Sequence, residues 1–314
     1  MLQFAHQPRN VQRLKIREKP IMSKFQDKIR SRAFVVTTEL TPPKGVDLTD
    51  IFAKADVLRP CVDAVNLTES SRARMAIEPK SVGHLLLDRG VEPIVQITAR
   101  DRNRIAVQAD LLGAAALGIG NFVFMTGDSP KNGDHPDAKP VFDLTTLEML
   151  NAARSLSQGR DMSGAELKGA PRVFAGATAN PGNADTQAEA ANTRRKLDAG
   201  AQFLQTQAVY DLAALERFVG AAELKDFPLL AGIIPLKSIK MAGWLNANVP
   251  GVRVPEALLA RMQAAADAGR EEQVGLEIAV ELIRGLRGVC AGVHIMALGW
   301  EGHIPRMLSA SGVT

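Results

Sequence analysis

The amino-acid sequence predicts an α/β fold in which eight strand–helix units close into one single-domain (βα)8 TIM barrel. Short apolar or β-branched runs alternate with longer helical patterns along the chain. The first four runs recur about every 29 residues, close to the length of one strand–helix unit. Such alternation indicates parallel strands joined by crossover helices. An open doubly wound sheet is the alternative, but that fold usually carries a GxGxxG fingerprint, which the sequence lacks.

The predicted strands are runs rich in Val, Ile, Phe and Thr that are bounded by turn residues. They begin near Ala33, Val62, Glu92, Asn121, Arg172, Gln202, Pro228 and Val293. The long intervals 126–172 and 234–292 are expected to hold extra structure. The first of them opens with GDSPKNGDHPDAKP, a polar, turn-rich segment directly after the fourth strand. Long loops at this end of a barrel strand commonly carry function.

Helices are predicted in the intervals between these runs. Residues 47–58 follow a turn, and residues 104–117 carry apolar side chains on one side. Residues 185–199 end at Gly200, a favourable helix stop. Pro255 is expected to open a further helix, because its missing N–H costs nothing in a first turn.

The net charge of +4 is unevenly distributed along the chain. Residues 1–33 contain nine Lys or Arg and two acidic residues, so the remainder is acidic overall. We therefore predict that residues 1–33 form a basic, partly disordered N-terminal extension and that residues 34–314 form the catalytic barrel. Because the basicity belongs to the extension, no nucleic-acid partner is expected.

Cysteine content and hydropathy argue against several further classes of protein. Cys61 and Cys290 lie far apart and outside any Cys/His cluster, which argues against a disulfide scaffold or a structural zinc site. The chain has no apolar run of about 18 residues, so no membrane span is predicted. The N-terminus also lacks the apolar region of a secretory signal. A cytoplasmic enzyme without a membrane partner is therefore expected.

Active sites of TIM barrels form at the carboxyl ends of the strands, and here those ends are polar. The residues concerned are Glu39, Thr68, Glu69, Gln96, Thr98, Thr126, Gly127, Asp128, Asn180, Gln205, Gln207 and Lys237. The sequence has no HExxH and no GxSxG motif, which makes zinc hydrolysis and Ser-His-Asp acyl transfer poor fits. Amides in such a ring suit a planar heterocycle with paired donors and acceptors.

Several of these residues have a structural interpretation beside the functional one. Glu39 closes an apolar strand, where a desolvated carboxyl serves well as a general acid, but a solvated capping group is the alternative. Asp128 follows a glycine and also suits a turn. Gln207 closes a strand and must face the mouth or be satisfied inside the barrel.

Four polar residues, Glu189, Asn192, Arg195 and Lys196, are spaced to share one face of a helix. From spacing alone, a solvated face is the preferred interpretation. Four histidines are isolated in the sequence, and each is interpreted as structural or surface. They are His84, His135, His294 and His303.

Five motifs, in order over about residues 34–313, match one known family. They are TTELTPPKG, QITARDRN, FMTGDSP, NPG with RRKLDAGAQFLQTQAVYD, and GIIPLKS with VPGVRVPEAL. The sequence resembles the methylenetetrahydrofolate reductases, particularly the short bacterial form without a regulatory domain. Five motifs in register on an independently predicted (βα)8 pattern make this resemblance specific.

The resemblance implies a flavin at the barrel mouth, FAD rather than FMN. It implies that Glu39 is the general acid that protonates the folate nitrogen, that Gln207 recognises the pterin, and that Asp128 is a second catalytic residue near flavin and pterin. The residues implied to bind the cofactor are Thr68, Gln96, Thr126, Gly127, Asp128, Asn180, Glu189, Asn192, Arg195 and Lys196. On this basis the helix face is functional rather than solvated, since a diphosphate needs fixed cations.

The implied activity interconverts 5,10-methylenetetrahydrofolate and 5-methyltetrahydrofolate by hydride transfer through flavin N5, with NAD(P)H as the electron donor. Four residues depart from the family pattern. Gln96 and Asn180 stand where the family often has His, Ile239 where it often has an aromatic side chain, and Thr126 where it has Arg. These departures leave an electron-donor partner protein open beside NAD(P)H, and a homo-oligomer is also compatible.

Two other functions stay open at this point. The first is a barrel methyltransferase that binds methyltetrahydrofolate without a flavin and would not need the Glu189 to Lys196 face. The second is a non-catalytic flavin or pterin binder that serves as a subunit of a larger complex.

Overall fold

Each of the eight predicted runs forms a strand in the computed structural model, which describes residues 23–313. The strands are β1 (Val35–Leu40), β2 (Ala64–Leu67), β3 (Pro93–Thr98), β4 (Asn121–Met125), β5 (Phe174–Ala179), β6 (Phe203–Ala208), β7 (Leu229–Ile233) and β8 (Gly292–Ile295). All neighbouring pairs are parallel, and β8 closes the barrel on β1. The prediction of a (βα)8 TIM barrel is confirmed.

Helices surround the barrel or extend its loops. They are α1 (Lys24–Arg30), α2 (Thr49–Leu58), α3 (Pro79–Asp88), α4 (Arg104–Ala116), α5 (Thr146–Ser157), α6 (Thr186–Ala199), α7 (Leu212–Ala221), α8 (Ile239–Asn248), α9 (Glu256–Asp267), α10 (Glu271–Leu286) and α11 (Ile304–Ser311). Short 3₁₀ turns span Ser71–Ala73, Pro130–Asn132 and Glu301–His303. The extra structure expected in the two long intervals is α5 in the first and α8, α9 and α10 in the second.

Local signals explain where several helices begin and end. Before α6, the Asp185 side chain accepts a hydrogen bond from Ala188 N–H. After it, Gly200 adopts a left-handed conformation at φ 116°, as its position at the helix end predicts. The α5 helix opens with a reciprocal capping box between Thr145 and Glu148.

The interior of the barrel changes from apolar to polar along its axis. Strand alternation directs Val35, Thr37 and Glu39 of β1 inward, one above the other. At the amino end the interior holds an apolar cluster of Phe25, Val35, Ala64, Ile94, Val123, Phe174, Phe203 and Leu230. Above it lies a buried polar layer of Thr37, Asn66, Gln205 and His294. The polar layer therefore lies between the apolar cluster and the carboxyl ends of the strands.

Helix α1 closes the amino end of the barrel. Phe25 is fully buried there and meets the rings of Phe174 and Phe203 edge-on, with centroids 5.9 and 5.1 Å away. Lys28 donates a hydrogen bond to Asp63 at the start of β2. The boundary drawn from the sequence at residue 34 separated this helix from the barrel, whereas the structure packs residues 24–30 against it. The prediction for residues 1–22 lies outside the described residues.

Two features are absent from residues 23–313. No helix in that range is long and apolar enough to cross a bilayer. The same residues contain no group of three or more His, Cys, Asp or Glu side chains that could hold a metal ion.

Candidate active site

The mouth of the barrel, formed by residues at the carboxyl ends of the strands, gathers many of the polar residues singled out from the sequence. Glu39 is the fifth residue of β1 and keeps 17% of its side chain exposed. Its Oε2 lies 3.8 Å from Nε2 of His294 on the neighbouring strand β8. The carboxyl is therefore held between the buried polar layer below and the open mouth above.

The polar layer beneath Glu39 is a hydrogen-bonded set of side chains from four strands. Asn66 donates to Gln205 Oε1 at 2.7 Å, and Gln205 donates back to Asn66 Oδ1 at 3.1 Å. Thr37 Oγ1 lies 3.0 Å from Nδ1 of His294. Because each of these four side chains has a hydrogen-bond partner within the layer, its geometry is well defined.

A cavity of about 180 Å³ lies beside Glu39, between β1, α2 and the segment after β8. Lys54 of α2 lines it and pairs with Asp50 at 2.9 Å and with Glu301 at 3.7 Å. The hydrogen bond to Asp50 raises the pKa of Lys54. A drug-sized ligand needs about 300 Å³ or more, so this cavity is a side compartment of the mouth.

Strands β2 and β3 end in a buried charged cluster that no sequence motif predicts. Glu69 is 6% exposed, and its carboxylate accepts hydrogen bonds from Thr98 and pairs with Arg102. Arg102 also pairs with Asp110 of α4. Burial raises the pKa of Glu69, and the positive charge of Arg102 opposes that shift. This cluster fastens two strand ends, so Glu69 has a structural role at the mouth.

Next to this cluster, Thr68 is buried and its hydroxyl has no hydrogen-bond partner among the described residues. Gln96, whose side chain strand alternation directs inward on β3, is half-buried. A buried hydroxyl without a partner is commonly satisfied by water or by a ligand. The carboxyl ends of β2 and β3 therefore offer polar groups to the mouth.

The turn after β4 brings the backbone close to β3. Gly127 adopts φ +86°, and a Cβ placed there would come within 2.9 Å of Thr98 Cβ. Thr126 and Asp128 on either side are exposed. The buried guanidinium of Arg100 donates to the Asp128 carbonyl at 3.4 Å. The backbone of the turn is thus anchored, while the Asp128 carboxylate is open to solvent.

Helix α6 is tied to the end of β5 by two of the four polar residues on its predicted face. Glu189 accepts a hydrogen bond from Asn180 N–H at 3.0 Å, and Lys196 donates one to the Thr178 carbonyl at 2.7 Å. Both side chains are buried. Burial lowers the pKa of Lys196, and nearby Glu189 opposes that shift. A solvated face, the interpretation that spacing alone favours, is therefore wrong for Glu189 and Lys196.

The other two residues of that face differ in exposure. Asn192 is half-buried, and Arg195 is exposed. Nearby, Asn180 donates a hydrogen bond to the Pro250 carbonyl at 3.4 Å, but its buried Oδ1 has no partner among the described residues. An exposed guanidinium and an unsatisfied buried amide oxygen are groups that a polar, anionic ligand can use.

Gln207 is exposed at the end of β6, where strand alternation directs it toward the mouth. The pairing of β6 with β7 shifts register between Gln205 and Ala208. The Thr206 hydroxyl bridges this irregularity by accepting from Gly232 N–H and donating to the Gln207 carbonyl. The Gln207 backbone is therefore fixed, and its amide is free to meet a ligand.

The donor and acceptor set of the mouth fits a flavin. Thr68 Oγ1 and Asn180 Oδ1 are buried acceptors without described partners, and both lie at strand ends. Gly127 allows close approach of the backbone, and α6 carries the exposed guanidinium of Arg195. Hydroxyl, amide and guanidinium groups are those that a ribityl chain and a diphosphate require.

His294, which is isolated in the sequence, lies in the site in the folded chain. His294 is buried, as a structural residue would be, but its ring faces Glu39. The pairing of β1 with β8 places Thr37 opposite His294. The available sequence signal was its place in an apolar strand, where strand alternation would point it inward.

Comparison with solved structures shows the same fold. A protein from Clostridium thermocellum, whose structure binds two copies of 5-methyl-5,6,7,8-tetrahydrofolic acid, matches with a TM-score of 0.63. The match covers 92% of this chain and 99% of that chain, at 16% sequence identity. At that identity the likeness concerns the fold alone.

Comparison with characterised sequences is more specific. "5,10-methylenetetrahydrofolate reductase" of Pectobacterium carotovorum is 24% identical over 255 residues, which are 79% of this chain and 80% of that protein. "Methylenetetrahydrofolate reductase 2" of Schizosaccharomyces pombe is 24% identical over 230 residues, 70% of this chain, and the match spans only 35% of the yeast protein. A family model described as methylenetetrahydrofolate reductase matches residues 24–312. This chain therefore belongs to the methylenetetrahydrofolate reductase family.

Proposed function

We propose that this protein is a flavin-dependent oxidoreductase that interconverts 5,10-methylenetetrahydrofolate and 5-methyltetrahydrofolate by hydride transfer through the flavin. Family membership supports the substrate class. The observation that carries the proposal is the position of Glu39. Its carboxyl stands at the carboxyl end of β1 with 17% of its surface exposed, within reach of a ligand seated in the mouth.

Glu39 would act as the general acid of the folate reaction. Opening the five-membered ring of methylenetetrahydrofolate breaks a carbon–nitrogen bond, and the departing nitrogen needs a proton. A carboxyl group that is partly buried yet accessible suits general acid catalysis at that nitrogen. In the opposite direction the same carboxylate would take the proton back.

Pterin recognition would fall to Gln207 and Asp128. The Gln207 amide offers a donor and an acceptor side by side, which matches the edge of a pterin ring. The exposed Asp128 carboxylate can accept hydrogen bonds from ring N–H groups, and Arg100 fixes the backbone that carries it. Both residues stand at the mouth, so they would orient the folate relative to Glu39.

The flavin would be held mainly by groups that lack protein partners. Thr68 and Asn180 supply buried acceptors, and Gly127 allows the backbone to approach the ring. The exposed Arg195 would pair with a diphosphate, which FAD has and FMN lacks. Gln96, Thr126 and Asn192 would complete the site, whereas Glu189 and Lys196 would shape it by fastening α6 to β5. When bound, the flavin supplies the hydride chemistry.

The proposed electron donor is NAD(P)H, and a partner protein is the alternative donor. A cytoplasmic location agrees with two free cysteines in the described part of the chain. A second candidate function is a folate-binding methyltransferase without a flavin. A barrel of the same fold, from Clostridium thermocellum, binds 5-methyltetrahydrofolic acid, the ligand that both candidate functions share.

The test is anaerobic stopped-flow spectroscopy of the purified chain reconstituted with FAD. Methyltetrahydrofolate, NADH and NADPH are added in separate runs while the visible flavin absorbance is followed. We expect methyltetrahydrofolate to bleach the flavin, and at least one nicotinamide to do the same. The control is free FAD without protein, which methyltetrahydrofolate should leave oxidised.

Two results would overturn the proposal. If FAD fails to bind while methyltetrahydrofolate still binds, the methyltransferase function replaces the proposed oxidoreductase function. If a nicotinamide bleaches the flavin but neither folate exchanges electrons with it, the protein is a flavin reductase with a different acceptor.

A further inference from the structure

We propose that His294 is a positioning residue for Glu39, with its Nε2–H aimed at one oxygen of that carboxyl. This inference rests on the proposed function, in which Glu39 handles the proton of the folate reaction. The two side chains come from β8 and β1, which close the barrel against each other. His294 keeps only 5% of its side chain exposed, so it acts from inside the barrel rather than by touching the substrate.

The direction of the histidine proton follows from the layer beneath. Asn66 and Gln205 exchange hydrogen bonds, which commits one Gln205 N–H to Asn66 Oδ1. The Nε2 atom of Gln205 also lies 3.4 Å from Thr37 Oγ1 and 3.5 Å from His294 Nδ1. Its second N–H therefore faces Thr37 and the Nδ1 side of the ring.

The Thr37 hydroxyl links the Gln205 amide to the ring of His294. Its hydroxyl accepts from Gln205 and has His294 Nδ1 at 3.0 Å, closer than the Val293 carbonyl at 3.4 Å. Because Gln205 Nε2 can only donate and also faces Nδ1, we assign Nδ1 as an unprotonated acceptor and the hydroxyl proton to it. A neutral imidazole carries its single proton on the other nitrogen. In His294 that nitrogen is Nε2, the atom that faces Glu39.

A proton on Nε2 of His294 favours one orientation of the Glu39 carboxyl group. The distance from Nε2 to Glu39 Oε2 is 3.8 Å, longer than a hydrogen bond. Hydrogen bonds of catalytic groups are often long without ligand and tighten when the substrate is seated. Holding Oε2 leaves Oε1 to exchange the proton with the folate nitrogen. On its other side, Glu39 borders the cavity lined by Asp50, Lys54 and Glu301.

A matched pair of substitutions separates positioning from packing. In His294→Gln the amide nitrogen can occupy the place of Nε2 and still donate to Glu39. In His294→Asn the shorter amide reaches only the Nδ1 side and Thr37. Asparagine is one methylene shorter than glutamine, so a packing role predicts lower thermal stability for His294→Asn but no selective loss of the folate step. His84→Asn, at a helix site remote from the mouth, serves as the control.

The first readout is the rate of flavin bleaching by methyltetrahydrofolate in single turnover. We expect His294→Asn to slow this step about tenfold or more, the scale on which misorientation of a reacting group acts. His294→Gln should recover most of the rate, and His84→Asn should match the parent. Flavin reduction by a nicotinamide should be unaffected in all three. Equal rates in the Asn and Gln variants would overturn the proposal.

The second readout does not depend on activity. Two-bond ¹H–¹⁵N correlation NMR of the ¹⁵N-histidine-labelled chain reports the tautomer of each ring, and His294→Gln identifies the His294 signals. We expect a neutral ring with the proton on Nε2. A ring protonated at Nδ1 alone would refute the arrangement. If the parent chain shows no folate reaction, the proposed function fails, and the tautomer still decides whether His294 directs an N–H at Glu39.

Discussion

Glu69, which follows β2, holds Thr98 of β3 through two hydrogen bonds to one carboxylate oxygen, from the N–H at 2.6 Å and from the hydroxyl at 2.9 Å. The other oxygen pairs with Arg102 at 2.5 Å. A buried charge in this position is stable only because it is both paired and hydrogen-bonded. The two strand ends that frame part of the mouth therefore depend on one carboxylate.

This arrangement predicts a pH dependence of stability. Burial raises the pKa of Glu69 above its ordinary value of 4.5. A carboxyl with a higher pKa in the folded state binds more protons there, so its contribution to the free energy of unfolding falls as pH rises above 4.5. Relative to Glu69→Gln, the parent should therefore lose stability as pH rises above 4.5. Thermal unfolding of both proteins checks this, and a pH-independent difference in Tm would contradict it.

Substitution of Phe25 tests whether the packing of α1 contributes to the stability of the barrel. Its ring is fully buried against Phe174 and Phe203. Phe25→Ala should lower the free energy of unfolding by about 3–5 kcal/mol, as for other buried Phe residues. Arg30→Ala, which removes an exposed i,i+3 pair with Asp27, should change it by less than about 0.5 kcal/mol. Denaturant unfolding measures both, and equal small effects would show that α1 is dispensable.

Alanine substitutions at two glycines should change the stability of the fold in opposite directions. Gly127→Ala places a Cβ 2.9 Å from Thr98 at φ +86°, so it should destabilise the fold by about 1–3 kcal/mol. Gly113→Ala, in open space within α4, should stabilise it by about 0.5–1 kcal/mol because Ala is the better helix former. Chemical denaturation of both variants is the measurement. A loss of stability in Gly113→Ala, or none in Gly127→Ala, would refute the local geometry.

Glu39→Gln tests the proposed acid. The amide keeps the size and polarity of the side chain but cannot donate an acidic proton. We expect the folate half-reaction to slow by about 10²–10⁴-fold, the usual contribution of a general acid or base. Flavin binding and flavin reduction by a nicotinamide should be preserved, which provides the internal control. A normal folate rate, measured by stopped flow, would remove Glu39 from the mechanism.

Arg195→Ala tests the proposed contact with the diphosphate. Arg195 is the exposed cation of the α6 face, whereas Lys196 is already committed to the Thr178 carbonyl. Loss of a charge-assisted hydrogen bond of about 1.5–3 kcal/mol should weaken FAD binding roughly tenfold or more. Lys225→Ala, which removes an exposed cation at the opposite end of the barrel, is the control. Titration of the apoprotein with FAD and with FMN measures both, and only FAD should be affected.

The sequence by itself determined the order and type of the main elements. Most strands are short runs with β preference, and Gly200 after α6 is a local helix stop, so neighbouring residues carry much of the information. The polar strand ends could also be predicted, because the carboxyl ends of parallel strands in a barrel meet at one mouth. Family resemblance added roles for Glu39, Asp128 and Gln207, which stay proposals.

Only the tertiary structure decided which polar groups meet. Thr37 and His294 lie 257 residues apart in the chain and become neighbours because β8 closes on β1. The same closure brings His294 beside Glu39, so no local pattern could have joined that histidine to the site. Likewise, Glu189 and Lys196 look solvated by spacing alone, yet burial against β5 gives both a backbone partner. The physical reason is that local preferences act through neighbours in sequence, whereas burial and pairing of polar groups depend on contacts made only when the barrel closes.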